Sequence, residues 1–504
     1  MSILVPILPR RLAMSSAAVF TIVLALASCT ADATPPASGD PAGTSLVIGV
    51  ADEPASLDPV LGYAPLGAAQ IFDGLVEHQA AGTLRPVLAT ALPQPSSDGR
   101  SWTVDLRDDV SFTDGSALDA AAVVATYRRV LEPGAPLRDR FWMLGAVTAV
   151  DQDTVRFDLK QACAYFPDLL VLGIRAGTPD APVGTGPYKV ADWQRGKRLV
   201  LTANKAYFGT RPAITTVTVE FLPDDEVRAQ RMRDGKLDGV GLPARLAAPF
   251  AAIDGLTVVE HSSADLRAVT FSDRGPTADP AVRLALNLAV DRQAVIGSAL
   301  AGEGTPVSLP MPPALAEFTE PGARIDYDLV RAQFLLDAAG WVLGSDGVRA
   351  KGPTRASFTI GYPVADVVSR DLVAAFAAAA KRIGIAVTAR PTALTEPLVD
   401  PRLIAFGDPF DPDPALYPVL HPAGGDLAKA LDAERATTDP AQRAVAFRAL
   451  QRAYQAAPTM AVLVAPRHSY VMRQNWNGYQ PVVDATGTDH TWGAWWNLSS
   501  WTPR

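Results

Sequence analysis

FTIGY (Phe358–Tyr362), DVVSRDLVAAFAAAAKR (Asp366–Arg382) and IAVT (Ile385–Thr388) follow one another with gaps of three and two residues. The outer two are short apolar runs, and the middle one is alanine-rich and too long for a strand. Strand, helix and strand joined by short connections make a crossover, and crossovers build mixed α/β sheets. On either side lie further strand candidates: Leu46–Val50, Trp102–Leu106, Thr154–Leu159, Leu199–Ala203 and Val217–Phe221. Three helices are marked by their caps. Asp279-Pro280 suits Ncap and N1, with Val282, Ala285, Leu286, Ala289 and Val290 on one face and Arg283 and Arg292 on the wet side. Asp439-Pro440 starts another, with Phe447, Leu450 and Tyr454 inward. Asp328–Ala339 is a third, with Val330, Phe334 and Ala338 inward and Gly340 just past its end. The fold class is α/β or α+β with at least two lobes.

The N-terminus carries an address. Arg10 and Arg11 precede Leu12–Ser28, an uncharged run of 17 residues that is short of the ~20 a membrane-crossing helix needs. It closes on Leu26-Ala27-Ser28-Cys29, which resembles a bacterial lipobox. The resemblance implies a signal peptide over 1–28 and lipid on Cys29. Residues 30–45, rich in Pro, Gly, Ala and Ser, read as a flexible tether spanning roughly 20–24 Å. The protein is then extracytoplasmic and held to the cell membrane by lipid.

With 504 residues and 48% hydrophobic side chains there is material for two or three cores. Loss of residues 1–28 moves the net charge from −8 to −10, and no basic run offers a footprint for nucleic acid. Cys163 is the one cysteine besides Cys29, so neither an intrachain disulfide nor a thiolate metal site is expected once Cys29 is acylated. The five histidines are scattered, and no local signature of a serine hydrolase, a phosphate loop or a dinucleotide fold is present. The expectation is a binding protein, not an enzyme, with no cofactor and no metal.

One polar stretch stands out. GDPFDPDP (Gly407–Pro414) alternates three aspartates with prolines directly after the apolar Leu403–Phe406. Proline bars it from a central strand or a helix, so it is a rigid connection holding carboxylates at a strand end. Ligands gather at strand ends in α/β lobes, where a carboxylate can accept from an ammonium; the same Asp-Pro pairs also serve as plain turns.

Several segments in order are similar to the peptide/nickel-binding family of extracellular solute-binding proteins, family 5, which serve ABC importers. They are EPASLDP (Glu53–Pro59), FDGLV (Phe72–Val76) with LRPVLA (Leu84–Ala89), and DGRSW (Asp98–Trp102) through LRDDVSFTDG (Leu106–Gly115). VGTGPY (Val183–Tyr188), Asn204 with YFG (Tyr207–Gly209), DGKLD (Asp234–Asp238), VRLALN (Val282–Asn287) through Asp291-Arg292, and AAGW (Ala338–Trp341) continue the series. Most of these residues read as scaffold. The resemblance implies a two-lobed periplasmic-binding-protein-like α/β fold of cluster C type, with an extra subdomain in lobe one and two interlobe crossings. Lobe one would take 46–268 and 479–504, with the subdomain at 67–182, and lobe two 269–478. Leu266–Phe271 and the stretch around Tyr470–Met472 are the hinge candidates.

The resemblance also implies ligand contacts at Asp408, Phe410, Asp411, Gly62, Tyr63 and Ala64, with Asp408 accepting a peptide's α-ammonium. Ala405 stands where many members carry Trp, and Pro409 is unusual, so the peptide register would differ. Trp492, Trp495, Trp496 and Trp501 read as packing. The implied function is capture of oligopeptides or dipeptides by a monomer and delivery to ABC permease subunits. A nickel chelate, haem or an oligosaccharide is the alternative cargo; an envelope sensor or scaffold, and a secreted hydrolase, are the alternative classes.

Overall fold

The computed structural model describes residues 44–178, 181–393, 400–486 and 491–504. The expected signal peptide, the expected lipid site Cys29 and the expected tether up to residue 43 lie outside the described residues. Among the described residues no helix is long and apolar enough to cross a membrane.

Ser45–Val50 is the seed of the larger sheet. It pairs in parallel with Thr216–Phe221 on one side and Gly239–Leu242 on the other. Arg198–Ala203 and Tyr188–Gln194 extend the first side, and His468–Arg473 and Leu256–His261 the second, giving seven strands. The alternation of Leu46, Ile48 and Val50 puts one face into a core shared with Leu199, Leu201, Val217 and Val219. Trp495 and Trp501 fill that core from the end of the chain. A separate four-stranded antiparallel sheet, whose longer strands are Ser101–Asp105, Leu144–Ala149 and Thr154–Leu159, packs with the helix Ala120–Val130 around a second core. Asp119 caps that helix by accepting from the N–H of Ala122.

The family-like segments between these two bodies are scaffold. The Thr185 hydroxyl donates to Asp73 at 2.8 Å and the Tyr207 hydroxyl to the other oxygen at 3.2 Å, so three separate motifs close one knot. Gly184 is required by packing, because a Cβ there would stand 1.8 Å from the carbonyl oxygen of Ile71.

The remaining body has a core drawn from residues between Leu266 and Ala465. Its sheet orders Gly304–Pro306, Met460–Pro466, Leu266–Thr270 and Leu403–Phe406, all antiparallel. The crossover is there: Ser357–Pro363 and Ala386–Thr392 pair in parallel, joined by the helix Val367–Lys381 with Asp366 as its cap. Asp279, Asp328 and Asp439 likewise cap the helices Pro280–Ala289, Leu329–Ala338 and Pro440–Ala456.

Three expectations are corrected. Proline does not bar a helix from the end of the aspartate segment: Asp413–Leu420 is one, with Pro414 in its first turn, where a missing N–H costs no helical bond. The helix Leu329–Ala338 buries Ala332 and Leu336, whereas Val330 and Phe334 are 78% and 67% exposed. Both pairs have i, i+4 spacing, so periodicity could not choose the face. Arg292 is buried rather than wet. Its guanidinium donates to the carbonyls of Val307 and Val462 at 3.0 Å and Ile325 at 3.1 Å, tying two connecting segments to the strand Met460–Pro466.

The chain leaves the seven-stranded sheet after His261, enters the four-stranded one at Leu266, and returns between Pro466 and His468. Polar groups meet where these crossings run side by side. Asp484 accepts from His261 at 2.6 Å, His468 at 3.0 Å and the Tyr470 hydroxyl at 2.5 Å, while its backbone pairs with Ser262 and Ala264. Asp265 accepts two bonds from Arg267 at 2.7 and 2.9 Å, and lies 3.4 Å from His468. Burial opposes these charges, but the bonds to Asp265 and Asp484 push His468 up to about 10. Burial likewise works against ionised Asp265, yet Arg267 and then His468 hold it down at about 2.

Candidate functional site

Gly407 fixes where the aspartate segment begins. Its φ is +149°, and a Cβ there would lie 1.7 Å from the carbonyl oxygen of Ala264 in the first crossing. From that anchor the segment turns along the face that meets the other lobe. Asp408 bends it, since Oδ1 accepts from the N–H groups of Phe410 at 2.9 Å and Asp411 at 3.2 Å. Asp411 repeats the device on the N–H of Asp413 at 2.9 Å.

Each aspartate also holds a cation. Asp411 takes both terminal nitrogens of Arg443 at 2.8 and 3.0 Å, and Arg443 also donates to Glu434. Asp413 takes Arg435 at 2.8 and 3.0 Å. These two pairs lie within one lobe. Asp408 differs: its Oδ2 accepts from Nη2 of Arg140, in the subdomain of the other lobe, at 2.8 Å. Asp408 is 3% exposed, and Nε of Arg140 is buried without a partner.

Aromatic rings complete the junction. Phe410 stacks on His78 with centroids 3.3 Å apart and planes 4° from parallel, and meets Trp492 edge-on at 4.9 Å. The Arg435 guanidinium lies 3.2 Å from the Tyr417 ring centre and 4.4 Å from that of Trp142. Neither nitrogen of His78 has a hydrogen-bond partner, and burial pushes its pKa down to about 4 against the pull of Asp408. Burial, then the charges of Asp411 and Asp408, push Asp168 up to about 7. Burial, then Asp413, push Glu434 up to about 8.

The structure therefore brings Asp408, Phe410 and Asp411 together. It gives Gly62, Tyr63 and Ala64 a scaffold setting. Gly62 closes the turn Pro59–Leu61 with φ +96°; Tyr63 is 5% exposed in the core of the seven-stranded body, edge-on to Phe72; Ala64 holds φ +50° beside it. Arg140, His78 and Asp168 escaped sequence reasoning, because each gains meaning only from partners hundreds of residues away. The one local hint was a basic and aromatic run, Arg138–Trp142.

The sequence model for "Bacterial extracellular solute-binding proteins, family 5 Middle" matches residues 83–426. The chain belongs to this family. Family 5 proteins are the solute-binding components of ABC importers, working outside the cytoplasm as binding proteins. Among relatives, Protein XP55 of Streptomyces lividans is 40% identical over 474 residues, covering 87% of each chain. Among solved structures, NikZ from Campylobacter jejuni in complex with Ni(L-His) superposes with TM-score 0.84 at 22% identity, covering 91% of this chain and 99% of that one. The oligopeptide-binding protein AppA from Bacillus subtilis, in complex with a nonapeptide, gives 0.79 at 21% identity, covering 92% and 99%. The fold is thus the two-lobed periplasmic-binding-protein fold of family 5.

Proposed function

We propose that this family 5 protein captures a peptide or another amino-acid-derived solute between its lobes and presents it to an ABC permease, tethered to the membrane through lipid on Cys29. Arg140–Asp408 carries the reading: a cation from one lobe and a carboxylate from the other, bonded directly, with the guanidinium Nε buried and unpartnered. A solute bearing both an ammonium and a carboxylate exchanges for that contact, its ammonium going to Asp408 and its carboxylate to Arg140. Asp411, locked on Arg443, buttresses the turn and does not touch solute. Phe410 and His78 supply an apolar wall. The nonapeptide bound by AppA is a solute of this chemistry.

The lobes divide at Ser262–Asp265 and at Arg467, where the chain changes sheet. Closure is a population shift: about 5.5 kcal/mol carries a two-state equilibrium from 1:99 to 99:1, and a Kd near 1 μM releases about 8.2 kcal/mol. Calorimetry with di- to hexapeptides is the test. Binding that weakens at least tenfold in Asp408→Ala is the expected result. Unchanged affinity in that variant removes Asp408 from the site, and binding of a nickel–histidine chelate in place of every peptide replaces the cargo.

A further inference from the structure

A groove of about 470 Å³ runs along lobe one between the hairpin formed by Val76–His78 and Leu84–Pro86 and the C-terminal turn Leu498–Ser500. Its size falls within the ~300–1,000 Å³ typical of small-molecule sites. The residues lining it include carboxylates, amides and hydroxyls. Gln70 is 7% exposed; its amide nitrogen donates to the carbonyl of Trp496 at 3.1 Å, and its Oε1 is buried with no partner. His78, 3% exposed and stacked on Phe410, also lines the groove; its ring nitrogens make no hydrogen bond, and Nε2 lies 3.8 Å from Asp168. Asp73 and Glu77 add two carboxylates. Arg85 is the one Arg or Lys in the lining, and its Nε is held by Glu77 at 2.6 Å. The Trp496 ring adds a surface that attracts cations. Among the described residues no three His, Cys, Asp or Glu groups converge to hold a metal ion.

We infer that this groove is a binding site for a small organic ammonium, received by Glu77 and Gln70 beside Trp496, with Asp73, held by Thr185 and Tyr207, a buried carboxylate behind them. Burial pushes Asp73 up to about 6, and an ammonium alongside offsets that cost. His78, kept neutral by its own burial, offers a lone pair and not a repelling charge. The site uses neither Arg140 nor Asp408; it shares His78 with the wall assigned to the cleft, while Glu77 and Gln70, which receive the ammonium, take no part in that reading.

Spermidine is the probe, titrated calorimetrically into the full chain at 150 mM salt. One saturable site is expected. Glu77→Gln should weaken it at least tenfold, and Arg85→Ala, which frees the Glu77 carboxylate, should tighten it several-fold. Asp408→Ala and the exposed-surface variant Glu132→Gln should leave it unchanged. Absence of saturable binding, indifference to Glu77→Gln, or no tightening in Arg85→Ala overturns the proposal. So does an equal loss in Glu132→Gln, which means diffuse attraction to an acidic surface, or loss in Asp408→Ala, which puts the amine in the interlobe cleft.

Discussion

Asp408, Asp411 and Asp413 stand within six residues, yet their partners give them different work. Arg443 is shared by Asp411 and Glu434, all three nearly out of reach of solvent. Replacing the cation strands two buried carboxylates, so Arg443→Met should cost about 3–5 kcal/mol in urea unfolding. Asp408→Ala should cost clearly less stability, because its cation is 20% exposed at a junction that can open. Gly407→Ala meets a carbonyl oxygen that cannot rotate away and a φ that side chains avoid. A loss of about 2 kcal/mol or more is expected, read as a fall in melting temperature. If either core variant unfolds like the parent, the aspartate segment is held by something else.

At the scale of elements, the crossings carry the charge cluster of Asp484, His468, Asp265 and Arg267. His468 is raised in the folded protein, so its contribution is complete below pH ~6.5 and fades as pH climbs through about 10. Asp265 is depressed, so its contribution holds above pH ~3.9 and is lost as pH falls through about 2. His468→Gln should therefore lower stability most between pH 4 and 6.5, by about 3 kcal/mol, read as a fall in melting temperature, and flatten the alkaline limb. The strands and capped helices were legible in the sequence because caps and apolar alternation are local. The helix face at Val330 and Phe334 was not, since two stripes of equal spacing competed and the neighbour chose. Arg292 misled because a charged side chain beside a cap reads as solvent-facing until distant carbonyls claim it. Of the junction, the prolines marked the aspartate segment and the family resemblance singled out Asp408; Arg140 and His78 were not legible, their partners lying hundreds of residues away.

For the whole molecule, Asp168 gives closure a pH dependence. After burial, the charges raising its pKa to about 7 come from the opposite lobe, Asp411 and Asp408. Separating the lobes removes them, so the closed form binds the proton more tightly. Burial beside Phe410 lowers His78 and pulls the opposite way, so in a His78→Gln background lowering pH from 8 to 5 should shift the population toward closed, seen as a smaller radius of gyration in solution scattering; adding Asp168→Asn should abolish the shift. A radius that grows on acidification would reverse the argument. The tryptophans at the chain end carry a different consequence. Gln70 donates to the carbonyl of Trp496 across 426 residues, and Trp495 and Trp501 plug the sheet seeded at Ser45. A polypeptide threaded outward N-terminus first cannot finish that lobe until its last few dozen residues have emerged. Its earliest strand waits, unsealed and open to chaperones, for nearly the entire length of its own delivery.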